Sequence, residues 1–131
     1  MNGDAPQKKI KLLLSQKWEE KLKYVVKNSP KDDVQIIAGA PSWVLVIMNE
    51  IIKEKKCSNI HEIWPNLELY LHGGMNIQPY KKSFESVIEK EIHFYQNYNA
   101  TEGFFGLQFE NNSDDMLLML DYGIYYEFIS K

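Results

Sequence analysis

The chain has 131 residues, with 15 Lys plus Arg against 18 Asp plus Glu and a formal net charge of −3. That length suits one domain with a real hydrophobic core, and 44% hydrophobic residues argue against disorder. The acidic balance argues against a bulk electrostatic grip on nucleic acid, no apolar run approaches the ~20 residues of a membrane span, and a lone Cys57 rules out an intrachain disulfide or a multi-cysteine zinc site. A reduced, cytoplasmic α/β domain is the expectation, with neither nucleic acid nor membrane as partner.

Residues 1–14 are expected to be a flexible or artificial start, and 15–131 a single α/β domain. From Ser15 to Asn28 the apolar residues Trp18, Leu22, Val25 and Val26 recur at helical spacing, and Ser29-Pro30 stops the helix. Val34 to Ala38 is a β-branched run that predicts a buried strand. A turn follows, with Ser42 as helix cap or Pro41 as first helical residue. Trp43 to Lys56 predicts a helix whose partly apolar face is Trp43, Val46, Ile47, Glu50, Ile51 and Lys55. Asn59 to Trp64 reads as a helical turn ended by Pro65. Leu67 to Leu71 predicts a second strand, Gln78 to Lys90 a third helix and Ile92 to Gln96 a third strand. Strands separated by helices imply a mostly parallel sheet with flanking helices. Gly103–Phe109, Met116–Leu120 and Ile124–Ile129 are strand-like with turn residues between them, so the chain is expected to end in antiparallel hairpins.

Ligands bind at the carboxyl ends of strands in open parallel sheets. Three such ends carry distinctive loops: Gly39 to Trp43, His72 to Met75, and Asn97 to Gly103. The paired glycines Gly73 and Gly74 let a flat ligand approach the backbone. Tyr98 can stack on a purine, Thr101 offers a hydroxyl to a phosphate oxygen, and Glu102 offers a hard oxygen to Mg²⁺. Singly, each has a plainer role: a glycine turn, a core tyrosine, a solvated carboxylate.

Tyr98-Asn-Ala-Thr-Glu102 resembles the Tyr-x-x-Ser/Thr-Glu signature of adenylate-forming enzymes, with Gly73-Gly74 in the place of their adenine-side loop. More narrowly, Ala38-Gly-Ala-Pro-Ser-Trp43, Ile63-Trp-Pro-Asn-Leu-Glu68, His72-Gly-Gly74, Tyr98-Asn-Ala-Thr-Glu-Gly-Phe-Phe-Gly106 and Asp114-Asp-Met-Leu-Leu118 resemble the auxin-responsive, Gretchen Hagen type acyl-acid amido synthetases in their bacterial form. The resemblance implies a partial adenylate-forming domain, with ATP and Mg²⁺ as cofactors and a carboxylic acid and an amino acid as substrates. It places Gly73, Gly74, Tyr98, Asn99, Ala100 and Thr101 around the nucleotide. Thr101 and Glu102 would be catalytic, with Glu102 also the metal ligand. Met75, Phe104 and Phe105 would wall the acyl pocket or simply pack in the core. The family's Ser/Thr/Gly-rich phosphate loop, its Tyr-x-x-Gly-Asp ribose motif and its mobile carboxy-terminal domain have no counterpart in these 131 residues. The chain is therefore expected to be a middle segment, inactive as a synthetase by itself. The alternative is a non-catalytic nucleotide-binding or interaction module. Exposed strands in such a segment would favour self-association.

Other groupings carry less. His61, His72 and His93, even with Glu62, match no metal-ligand spacing and read as structural or surface histidines. Cys57 among Lys53, Lys55 and Lys56 reads as an incidental thiol, and that lysine run as a solvated helix end. Asp114 and Asp115 read as turn caps. Tyr122, Tyr125, Tyr126 and Phe128 alternate as on a strand and can be a stacking platform or a covered face. Neither a nucleophile elbow nor a Walker-type phosphate loop is present.

Overall fold

A computed structural model describes residues 17–110, 113 and 115–130. The first part of the expected opening helix and most of the expected 111–115 turn lie outside these residues. The elements are α1 (Trp18–Asn28), β1 (Ile36–Gly39), α2 (Pro41–Lys55), β2 (Leu69–His72), α3 (Lys81–Val87), β3 (His93–Ala100), β4 (Gly103–Gln108) and β5 (Met116–Leu118). Short 3-10 turns occupy Ser29–Lys31, Ile60–Glu62 and Gln78–Tyr80. The fold is α/β, with one five-stranded sheet in the order β1-β2-β3-β4-β5. β1, β2 and β3 run parallel, in the register Ile37 to Tyr70 to Phe94. β4 and β5 are added antiparallel.

Right-handed crossovers that step the same way along a sheet put their helices on one face. Here α2 packs between α1 and α3 and touches β1. Pro41 is the first residue of α2, where its missing N–H costs nothing. The buried stripe of α2 is Val44, Leu45, Met48 and Ile51, with Ile47 partly buried against it, so of the face expected from sequence Ile47 and Ile51 hold and the rest is corrected. Trp43 and Val46 are exposed instead, and the Trp43 ring lies 4.3 Å from that of Trp18. The tryptophans cover each other at the outer seam of α1 and α2, leaving the smaller branched side chains to fill the interior.

Tyr70 is the centre of the core. It is fully buried, meets Phe84 and Phe94, and donates its hydroxyl to the Gly39 carbonyl at 2.9 Å. Trp64 is buried and its indole N–H reaches the Ser29 carbonyl at 3.1 Å, tying the end of α1 to the turn before β2. His61 closes the same corner. Its Nε2 lies 3.2 Å from the Leu67 carbonyl, and its Nδ1 accepts from the backbone N–H groups of Glu89 and Lys90. His61 is thus a structural histidine.

Four expectations are corrected. β3 does not stop at Gln96 but continues to Ala100, because β4 returns and pairs with it. α3 is shorter than expected, and Ile88 to Lys90 are instead held near His61. Leu67 precedes β2, its side chain buried and its carbonyl taken by His61. Ile124–Ile129 forms no strand. Tyr126 there donates to the Met119 carbonyl and its ring stacks on that of Phe128.

Candidate functional site

Gly39, His72 and Gln96 share one register level and mark the carboxyl edge of the parallel strands. Past that edge the loop after β2 lies directly on β3. A Cβ on Gly73 would overlap the Asn97 side chain and reach within 2.8 Å of its carbonyl, so only glycine lets the two backbones meet. Gly74 has a positive φ of 78° and open space around it. A cleft of about 730 Å³ opens here, lined by Gly74, Met75, Gln78, Gln96, Tyr98 and Met116 among others. None of its lining side chains among the described residues is charged. Tyr98 is 58% exposed, with one face backed by Phe105 at 5.2 Å between ring centroids. Its other side is free to take a flat ligand.

The expected site is thus partly brought together. Gly74, Met75, Tyr98 and Asn99 share the cleft, and Gly73 sets its wall. Thr101 and Glu102 do not line it. They form the exposed two-residue turn between β3 and β4, and the Thr101 hydroxyl donates to Glu102 Oε2 at 3.1 Å. Thr101 follows the cleft-lining Asn99 by two residues, roughly 7 Å of extended chain. Ala100 pairs with Gly103 beside that turn. Of the aromatic residues expected as acyl-pocket walls, Phe105 supports Tyr98 from behind, and Phe104 faces Tyr122 at 6.1 Å. The Gly39 loop stands at β1, two strands from β3, and takes no part in the cleft.

The cleft also uses residues that the sequence did not single out. Gln78, Gln96 and Met116 come from the turn before α3, the middle of β3, and β5. Strand alternation was the available signal for Gln96, since it shares a face with Phe94 and Tyr98. Nothing local marks Met116, which arrives only through antiparallel pairing with Gln108.

The fold and cleft define an α/β domain with an uncharged cleft built around glycine backbone and one exposed tyrosine. A family model described as the GH3 family N-terminal domain matches residues 5–92, about two thirds of the chain. The chain belongs to this family, that of the auxin-responsive acyl-acid amido synthetases. The matched span includes the Gly73-Gly74 loop and ends before Tyr98. No curated protein and no solved structure matches the chain.

Proposed function

We propose that the chain is a segment of an ATP-dependent acyl-acid amido synthetase. In the reaction proposed, a carboxylate oxygen of the acid bonds to the α-phosphorus of ATP and pyrophosphate leaves. The amine nitrogen of an amino acid then bonds to the acyl carbon, AMP departs with the former carboxylate oxygen, and the amine loses a proton. Membership of the family is the observation that carries this.

The cleft supports a role on the base side. An uncharged lining with an open tyrosine face suits a neutral planar group and would leave phosphates unmatched. Tyr98 would stack on adenine, and the backbone at Gly74 would lie along it. Thr101 would turn its hydroxyl from Glu102 to an α-phosphate oxygen. Glu102 is a single exposed carboxylate, and no group of three His, Cys, Asp or Glu gathers among the described residues. That donor set fits an Mg²⁺ held mainly by phosphate oxygens and water, with Glu102 adding one ligand. Bound there, the ion would screen phosphate charge.

The placement of Thr101 and Glu102 on an exposed turn, outside the cleft lining, favours a second reading, a non-catalytic nucleotide-binding or interaction module derived from the family. It also supports the proposal that these 131 residues alone lack synthetase activity, since catalysis of phosphate chemistry rests on positioned charge. Calorimetry with ATP·Mg²⁺ tests both on the wild type, Tyr98→Ala and Glu102→Ala. Binding weakened by Tyr98→Ala supports the base site, and no binding by the wild type refutes it. Pyrophosphate exchange by the chain alone would overturn the proposed inactivity.

A further inference from the structure

Gln108 is the last residue of β4 and is only 9% exposed. A buried amide needs partners for both its oxygen and its nitrogen. This one finds them on two different segments. Its Oε1 accepts from the Gln96 N–H of β3 at 2.9 Å, and its Nε2 donates to the Glu110 carbonyl at 3.0 Å. Its main chain pairs with Met116 of β5. Gln96 and Met116 both line the larger cleft. Gln108 stands behind them, outside that lining, in the wall of a second cavity of about 420 Å³.

The ladder between β3 and β4 is where such a bridge matters. Its pairs are Asn97 with Leu107, Tyr98 with Gly106, Asn99 with Phe104, and Ala100 with Gly103. Phe105 is left over as the extra residue of a bulge, and its ring is the one that backs Tyr98. A bulge re-aims the side chains around it, and its place along the strand is set by the pairing on either side. A slip of one residue turns the side chains beyond it to the opposite face. On one side the ladder is closed by the turn at Thr101 and Glu102. On the other, the next pair in register would be Gln96 with Gln108. There the Gln108 side chain takes the Gln96 N–H in place of a backbone carbonyl.

We infer that Gln108 is a positioning residue: its amide pins the β3–β4 register, and with it the bulge at Phe105 that holds the Tyr98 ring at the cleft. Gln108 acts through Gln96, which lies two residues before Tyr98 on the same face of β3. Its consequence for nucleotide rests on the reading of Tyr98 as the base platform, whereas the pin itself does not.

The experiment uses the 131-residue chain. Gln108→Met keeps the side-chain length and removes both hydrogen bonds. Gln108→Asn, one methylene too short to reach Gln96, is the milder variant should the first not fold. His61→Phe breaks backbone hydrogen bonds outside the cleft and so reports what lost stability does by itself. The readouts are the Tyr98 ring resonances and Tyr98–Phe105 Overhauser contacts by NMR, the urea midpoint, and the affinity for ATP·Mg²⁺ by calorimetry. Gln108→Met is expected to move the Tyr98 resonances, lose the Tyr98–Phe105 contacts and weaken ATP·Mg²⁺ about tenfold or more. His61→Phe is expected to lower the urea midpoint and leave the ring contacts and the affinity unchanged. The inference is overturned if the Tyr98–Phe105 contacts survive in the folded Gln108 variant, or if His61→Phe disturbs them as much. The ring contacts are read without nucleotide. Absent ATP binding by the wild type would therefore refute the base-site reading, while the NMR result still decides the role of Gln108.

Discussion

Replacing His61 should cost this fold far more than the loss of one surface histidine. The ring is 4% exposed and serves three backbone groups: the Leu67 carbonyl and the N–H groups of Glu89 and Lys90, each at 3.2 Å. It thereby clamps the segment between α3 and β3 to the turn before β2. In His61→Ala the Leu67 carbonyl loses its partner beside a buried side chain, at about 1–3 kcal/mol. Glu89 and Lys90 are exposed, so water recovers part of their loss, about 0.5–1 kcal/mol each. The vacated ring volume adds to this. A total near 3–4 kcal/mol follows, or a fall in Tm of roughly 10 °C for a chain of this size. Urea unfolding of the wild type, His61→Ala and His61→Phe gives the test. Phenylalanine keeps the volume and removes the hydrogen bonds. If the bonds matter as described, His61→Phe loses most of what His61→Ala loses. A His61→Phe variant within about 0.5 kcal/mol of wild type would show that His61 acts by packing alone.

Burial, reinforced by the Lys81 charge, holds the His72 imidazole below its usual pKa of 6.5. The unfolded chain therefore takes up a proton there before the folded chain does. The His72 contribution is complete above that pH and is lost as pH falls below it, so urea midpoints at about pH 7.5 and about pH 5.5 should diverge less in His72→Phe than in wild type. Burial also pushes the Tyr70 hydroxyl well above its ordinary value of 10.0, so Tyr70 should stay protonated while exposed tyrosines ionise in an alkaline ultraviolet titration. Folded-state stability should then fall as pH rises past 10, and Tyr70→Phe should remove that fall at a cost near 1 kcal/mol for the lost bond to Gly39. β1 pairs only with β2 among the described residues, and Ile36 at its free edge is 55% exposed with no lysine, proline or bulge to blunt that edge. Light scattering should show mass rising with concentration and Ile36→Lys suppressing the rise; a constant monomer mass in the wild type would refute edge pairing.

The α, β, α, β, α, β order was legible in the sequence because each of those elements carries its own periodicity and its own stop. Trp18 to Asn28 shows helical spacing before Ser29-Pro30, and the β-branched run from Val34 to Ala38 marks a strand, which the structure places at Ile36 to Gly39 and leaves mostly exposed rather than buried. The glycines at 73 and 74 and the tyrosine at 98 were legible as well, since residue type alone gives their chemistry. Tertiary structure decided the rest. Whether Asn97 to Ala100 is loop or strand depends on β4 returning to pair with it, and that pairing moved Thr101 and Glu102 out to a turn. The buried face of α2 was settled by Trp18 and Trp43 covering each other, which a single helix cannot reveal. His61 and His72 look alike in sequence, yet one meets three backbone groups and the other meets none among the described residues. Spacing along a chain records which face a side chain takes in its own element, while its partners come from elements distant in sequence, and only the packed fold assigns them.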